Sequence, residues 1–413
     1  MQWSSYTTGE RIKILRGNDI HQTHLAEMTS LALATIQAAE QDKRLSLSTL
    51  MKIADALGVD TSVILGQQAP RRMMYLPDRT MLRNLSQAVH DTAAGMLPEA
   101  IEVEDEAGLR GAIDRCWASY WQGQYTEAGS LVVPLLPQAA ANLRGQAAGE
   151  QGEAWGLLAD AYRIAAYVAN LMGARDLAYA AIGHAQLAAE RSDDELQPAL
   201  VNSGRAWVYL RDARLGDALK LAEKAAVEIE PRFSRATPEQ LTVYGSHINF
   251  AAVVASRMKN KELVKDYLSQ SNATGARMGG EHRARGTLFG PVTADTQAVG
   301  IAVALGQTGK ALDLIRGIPD ASLNVLTKAA RNRFAMDKAL AQADAKLYDA
   351  SLETLEAALI NAPVWARHQA LPGVIVQKVG RASTTRLRRV SALIGVRSGV
   401  DSGYAPTTTK TAL

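Results

Sequence analysis

Six times between residues 117 and 359 the chain spells a helix, a short polar turn and a second helix. The units are "WASYWQGQYTEAGSLV" (117–132), "LMGARDLAYAAIGHA" (171–185), "LRDARLGDALKLAEKA" (210–225), "RMKNKELVKDYLSQS" (257–271), "ALGQTGKALDLIRGI" (304–318) and "ADAKLYDASLETLEAAL" (343–359). Their turns fall roughly 40 to 50 residues apart. A single helical hairpin cannot bury its apolar face alone. Hairpins repeated at such a period bury it by stacking on one another, as a helical solenoid. The composition agrees. Apolar residues make up 47% of the 413 residues and aromatics only 5%. An alanine-rich apolar share suits helices whose backbones approach closely. Few segments show the alternation of strands, so the expected fold class is all-α.

The first sixty residues follow another plan. "GERIKILRG", with Ile12, Leu15 and the stem of Arg16 on one face, precedes "HQTHLAEM", "ALATIQAAE", "SLSTLMKIADALG" and "DTSVILG". In the fourth segment Leu47, Leu50, Ile53, Ala54 and Leu57 keep helical spacing. Ser46 or Ser48 suits its N-cap, Gly58 its C-terminal stop, and Asp60 caps the fifth. Five short helices of this kind make a small independent domain over residues 1–67. The prolines and basic cluster of "QQAPRRMMYLPDR" mark a linker, and a bridging helix is expected from Thr80 to about Glu106, so that 68–106 joins the two domains. The repeat domain then runs over 107–396, its last helix in "TTRLRRVSALIGV", and a polar tail, 397–413, is expected to be disordered.

Other classes find little support. The N-terminus "MQWSSYTTGERIK" has no apolar signal core, and no run of eighteen apolar residues occurs, so the expectation is a soluble, cytoplasmic protein without a membrane. The single cysteine, Cys116, excludes a disulfide framework and reads as a small core residue. "GQTGK" (306–310) has part of a phosphate loop but lacks its first glycine and has Ala311 where Ser or Thr would bind magnesium; it reads as a repeat turn. His21 and His24 share a helix face without an acidic or cysteine partner at metal-site spacing. No nucleophile, metal cluster or cofactor motif emerges, so no enzyme and no cofactor is expected. "RMGGEHRARG" (277–286) reads as a mobile loop. A net charge of +3 neither demands nor excludes nucleic acid.

The segments "GERIKILR", "HQTHLAEM", "ATIQAAEQDKR" and "LSTLMKIADALGV" resemble the lambda-repressor-like, or XRE, helix-turn-helix family over residues 9–65. The unit "WASYWQGQYTEA" resembles tetratricopeptide repeats. "LFGPVTADTQAVGIAVALGQTGKALDLI" (288–315) and the ending "NAPVWARHQALPGVIVQKVGR" with "TTRLRRVSALIGV" are similar to the XRE–TPR regulators common in actinobacteria. The resemblance implies a DNA-binding transcriptional regulator: an N-terminal helix-turn-helix domain followed by a TPR-like right-handed solenoid that senses a ligand and dimerises. It also implies that Gln22, opening the second helix, contacts a backbone phosphate. Ala32, Leu33, Ala34, Gln37 and Ala38 would face the major groove, with Lys43 and Arg44 near the DNA backbone, and Arg16 would pair with Glu40 inside the domain.

Physical chemistry supports that docking. The N–H groups at a helix start help orient a phosphate, and recognition helices enter the major groove by their N-terminal residues. Gln37 is the strongest base reader, because glutamine bonds adenine N6 and N7 together. Thr35 and Gln41 assist, and Leu33, Ala34 and Ala38 suit thymine methyls. Two positions depart from the family: Ser30 stands where glycine is usual, and Gln41-Asp42 replaces a residue–glycine pair. Residues 1–70 hold six Lys/Arg against seven Asp/Glu, so attraction to DNA is modest. Arg71, Arg72, Arg79 and Arg83 would add to it.

In the repeats, Asp160, Asn202, Asn249, Asp295 and Asn332 lie 15 to 18 positions before Ala178, Ala218, Val264, Ala311 and Ala350. By analogy with TPR sensors of peptide pheromones, such a row on the inner surface would hold an extended peptide by its backbone, with Arg163, Arg205 and Tyr209 within one turn. The expected partners are therefore operator DNA, a second copy of the chain, and a signalling peptide or small ligand. The rival expectation is a TPR adaptor whose helix-turn-helix domain no longer reads DNA.

Overall fold

Every expected hairpin turn is closed by a residue in the left-handed region: Gly123, Gly173, Ala213, Lys259, Gly306 and Lys346. In each, the next amide bonds back five residues: Gln124 to Ser119, Ala174 to Ala169, Arg214 to Tyr209, Asn260 to Ala255, Gln307 to Ala302 and Leu347 to Gln342. This is the Schellman closure, which satisfies carbonyls that a helix end leaves open. Five residues after each left-handed position stands a buried residue: Ala128, Ala178, Ala218, Val264, Ala311 and Ser351. The last equivalent is thus Ser351, not Ala350. "GQTGK" is one of these turns, with Gly306 at φ 74°.

The structure is a computed structural model and describes residues 3, 6–17, 20–43, 45–66, 76–101, 103–366, 368–380 and 385–394. Among the described residues it is all-α apart from one two-stranded hairpin. Among the described residues, no helix is long and apolar enough to cross a membrane. Contacts divide the chain into two compact units, Met1–Met73 with Gln342–Leu413, and Met74–Ala341.

In the first unit the N-terminal helices are α1 (Thr8–Arg16), α2 (Gln22–Thr29), α3 (Leu33–Glu40), α4 (Leu47–Ala56) and α5 (Thr61–Ile64). A capping box between Thr7 and Glu10 starts α1, Ser46 rather than Ser48 caps α4, and Asp60 caps α5. Ile12, Leu25, Ile36, Leu50, Ile53 and Ile64 form the core, all without exposure.

The second unit comprises α6 (Leu76–Ala93), α7 (Glu106–Gln122), α8 (Tyr125–Gly145), α9 (Gly152–Leu171), α10 (Arg175–Ala189), α11 (Gln197–Arg211), α12 (Leu215–Glu228), α13 (Pro238–Arg257) and α14 (Lys261–Met278). Strands β1 (His282–Ala284) and β2 (Thr287–Phe289), then α15 (Pro291–Ala304), α16 (Thr308–Gly317), a 3-10 turn (Asp320–Val325) and α17 (Lys328–Asp344), whose last three residues are counted with the first unit, follow. Each helix packs on its successor from α7 to α16, and the first helices α7, α9, α11, α13 and α15 also touch one another in turn. That second set of contacts is what makes a stack rather than a string of hairpins. Alanine permits it: Ala159, Ala161, Ala165, Ala166 and Ala169 of α9 and Ala178, Ala181 and Ala185 of α10 are fully buried.

Helix α6 does not extend from Thr80 to Glu106 as a bridge. It ends at Ala93, where Gly95 turns left-handed and Met96 bonds back to Asp91. Its Met81 lies against α8 where Gly129 leaves room, because a Cβ there would sit 2.2 Å from the Met81 sulfur. Thr126 Oγ1 donates to Asp78 at 2.5 Å.

The C-terminal helices α18 (Tyr348–Asn361), α19 (Pro363–Ala366), α20 (Leu371–Val379) and α21 (Thr385–Leu393) belong to the first unit. Where the repeats predict one domain over 107–396, the contacts divide after Ala341. The reason lies in α20, "LPGVIVQKV", which is buried on nearly every side. A helix apolar all round needs partners on more than one face. One of them is Leu65, just after α5, whose side chain would lie 3.2 Å from a Cβ at Gly373.

Candidate nucleic-acid interface

Glu40 is buried at the end of α3 and accepts two bonds. Arg16 Nε of α1 donates to its Oε1 at 2.8 Å, and Gln22 Nε2, at the start of α2, donates to its Oε2 at 2.6 Å. The implied Arg16–Glu40 pair is therefore formed, and it ties three helices together. Gln22 sits half-buried in this clamp, not free at the surface. Its amide nitrogen carries two hydrogens, so one remains beyond the Glu40 bond.

The turn between α2 and α3 places Ser30 at φ 51°, ψ 43°, and Asp42 after α3 also has φ 55°. Both positions where glycine is usual are thus left-handed, at a cost of roughly 1 kcal/mol each for a residue with a Cβ. Asp42 offsets its share, because its Oδ1 accepts from the Gly9 amide at 2.8 Å. Gly9 is required for this approach: a Cβ there would lie 2.3 Å from the Glu40 carbonyl oxygen.

With this frame set, α3 turns Ile36 and Ala39 inward and Ala32, Leu33, Ala34 and Gln41 outward, with Thr35, Gln37 and Ala38 between. At about 100° per residue, Leu33, Gln37, Gln41, Ala34 and Ala38 share an arc of roughly 140°. The arc holds two amides and no charge. Lys43 is exposed beyond the helix end, while Arg44, Arg71 and Arg72 lie outside the described residues. Arg79 and Arg83 are exposed on α6 of the other unit.

Sequence reasoning passed over Arg11 and Trp3. Arg11 is fully buried, its Nε donating to the Trp3 carbonyl and its Nη1 to the Ile64 carbonyl, each at 3.2 Å. Burial pushes its pKa down to about 10, which leaves it charged at neutral pH. Trp3 Nε1 donates to the Val63 carbonyl at 2.8 Å. The signal was an arginine on the apolar face of α1, one position before Ile12.

In the stack the expected ligand row aligns only in part. Asp160, Asn202, Asn249, Asp295 and Asn332 stand 13, 11, 10, 11 and 14 residues before their left-handed turn residues. Asn202 and Asp295 share a register and Asn332 lies about 60° from them, whereas Asn249 and Asp160 are turned about 100° and about 160° away at 100° per residue. Asn202 and Asn332 are buried, Asp295 is exposed, and Asn249 accepts from Ser271 Oγ at 3.3 Å. Arg205 and Tyr209 are half-buried, and Tyr209 lies under the Arg214 guanidinium, 3.9 Å from the ring centre.

Asp160 and Arg163 do meet, at 2.7 Å. Against Arg163 lies the segment expected to be a mobile loop, which is instead an ordered hairpin. Strands β1 and β2 pair antiparallel, Ala284 opposite Thr287, about an Arg285-Gly286 turn with both φ positive. The Arg285 carbonyl accepts from Arg163 Nη2 at 2.7 Å. The Arg285 guanidinium donates to Gln197 Oε1 at 2.9 Å and pairs with Asp194. Gly286 faces Trp117, and a Cβ there would lie 2.4 Å from the indole. At the hairpin base, Phe289 lies against Gly245 of α13. The strand signal was short: three residues on each side of a two-residue turn containing glycine.

No curated protein matches the chain. A solved structure, the crystal structure of BtubC (BKLC) from P. vanneervenii, is similar at 15% identity over 67% of this chain and 95% of that one, with a TM-score of 0.36. The family model for the Cro/C1-type HTH DNA-binding domain matches residues 12–66. The chain thus carries a DNA-binding helix-turn-helix of the Cro/C1 type at its N-terminal end.

Proposed function

We propose that this protein is a sequence-specific transcriptional repressor that binds operator DNA as a homodimer, with the helical stack as its sensor. The observation that carries the reading is the outer arc of α3, held outward by the Arg16–Gln22–Glu40 clamp. Gln37 reads an adenine edge, Thr35 and Gln41 assist, and Leu33, Ala34 and Ala38 meet thymine methyls. Ala32 lies at the groove entrance, with Lys43 and Arg44 beside the backbone. Gln22, oriented by Glu40, offers its second amide hydrogen to a phosphate. With so few direct bonds, sequence preference leans on DNA shape, and a two-fold operator doubles the contacts of a small module. A ligand in the stack changes operator affinity if it prefers one arrangement of the dimer.

Electrophoretic shifts on the promoter beside the gene test this. A salt-dependent, sequence-specific shift supports it, and a chain that binds no DNA fragment from its host refutes it. The adaptor reading has one observation in its favour: the uncharged arc, with Leu33 and Met28 exposed, also suits a protein surface. The absence of any shift would favour it.

A further inference from the structure

The hairpin of β1 and β2 is bound more elaborately than its own folding requires. A two-residue turn with both φ positive favours Asn-Gly or Gly-Gly, yet its first position is Arg285, at φ 52°. A side chain there costs roughly 1 kcal/mol over glycine, so turn chemistry does not account for the arginine. Its surroundings do. Asp194, before α11, pairs with its guanidinium, Gln197 Oε1 accepts from it at 2.9 Å, and Glu239 of α13 stands 3.9 Å from its Nε. Gln197 Nε2 in turn donates to Asp160 Oδ1 at 3.1 Å.

The backbone of the tip is read separately. Arg163 is nearly fully buried, held by Asp160 and stacked over Trp117 at 4.8 Å, and it donates to the Arg285 carbonyl. The indole of Trp117 closes over Gly286. Groups from α7, α9, the α10–α11 loop, α11 and α13 therefore converge on one carbonyl, one guanidinium and one position without a side chain. A hairpin needing only to cover Phe289 would not require contacts so far along the stack. An isolated hairpin of three pairs is also marginal in water, so its tip is held largely by this site and is open to competition.

We propose that the site formed by Trp117, Asp160, Arg163, Asp194 and Gln197 is a receptor for a peptide that presents an arginine followed by glycine in a tight turn, occupied here by the chain's own residues 282–289. This rests on the reading of the stack as a sensor and names its ligand class. The ligand competes with the hairpin, so affinity is reduced by the fraction of time the site is filled from within.

The test is titration calorimetry of the full chain with the synthetic octapeptide HRARGTLF, its second-arginine-to-alanine version, and free arginine. Arg285→Glu sets a carboxylate against Asp194 and Glu239 and expels the tip. The octapeptide should bind this variant at least tenfold more tightly than the unaltered chain. Adding Asp194→Asn, or using the alanine version, should weaken binding at least tenfold. Circular dichroism confirms folding, and if Arg285→Glu does not fold, Arg285→Ala is judged by the same criteria. Absence of octapeptide binding to the folded variant, or equal binding to both chains, overturns the proposal. Free arginine binding as tightly as the octapeptide overturns its peptide component. The operator shift is measured separately, so a failed sensor and a failed DNA reading are told apart.

Discussion

Arg16 Nε lies 2.8 Å from Glu40 Oε1, and the Glu40 side chain is 1% exposed. A carboxylate so deeply buried persists because Arg16 neutralises it and Gln22 bonds its second oxygen. Removing one partner of such a pair leaves an uncompensated charge. Glu40→Ala should therefore destabilise the N-terminal unit by about 3 kcal/mol, read as a shifted denaturant midpoint. The loss of the clamp should abolish the operator shift at temperatures where unaltered protein still binds.

Gly9 and Ser30 should respond in opposite directions. Gly9→Ala drives a methyl into the Glu40 carbonyl, which is backbone and cannot swing aside; a loss of about 3 kcal/mol is expected. Ser30→Gly relieves a left-handed side chain and should gain about 0.5 kcal/mol after the extra freedom of the unfolded chain is counted. Thermal melts of the two variants check both signs.

Gln37→Ala removes a half-buried side chain that no core contact needs. Melting temperature should stay within a degree or so, while operator affinity falls roughly tenfold or more, from the loss of about 1–3 kcal/mol of base discrimination. Lys43→Ala should instead lower affinity for all sequences and reduce the salt slope by about 1. Titrations at several salt concentrations separate the two effects.

His247 in α13 is fully buried, its ring nitrogens 2.7 Å from the Val243 carbonyl and 2.8 Å from the Ala199 carbonyl. Burial pulls its pKa below 6.5; the two carbonyls oppose this and Arg163 adds to it. A lowered pKa means that the unfolded chain takes up the proton first as pH falls through about 6.5. Stability is thus lost on acidification and regained as pH rises. Melts at pH 7.5 and 5.5 should show the lower stability at 5.5, with a smaller difference in His247→Gln.

Gly373 seats α20 on Leu65. Gly373→Leu should loosen that contact and destabilise the N-terminal unit by about 1–3 kcal/mol. Hydrogen exchange should show lower protection around Leu65 with the stack unchanged.

Local signals in the sequence settled most elements. Ser46, Asp60 and Gly58 mark their helix ends by side-chain or backbone chemistry that acts within a few residues, and the hairpin turns announce themselves by period. Gly9 shows where that legibility stops, because its need arises only when the end of α3 lies against it. The same holds for Arg11, whose bonds reach carbonyls of Trp3 and Ile64 across the domain.

What the sequence alone determined is the all-α character, the helix-turn-helix and the repeated hairpins, since each depends on propensity and spacing inside a short window. Tertiary structure decided the rest. It set α20 against Leu65 within the first unit, rotated Asp160 and Asn249 off the face of Asn202, and placed Arg285 against Asp194, 91 positions away in the chain. Contacts at such separation depend on how helices stack and rotate, and a register error of one residue turns a side chain by about 100°. Spacing in the sequence does not resolve that angle; packing does.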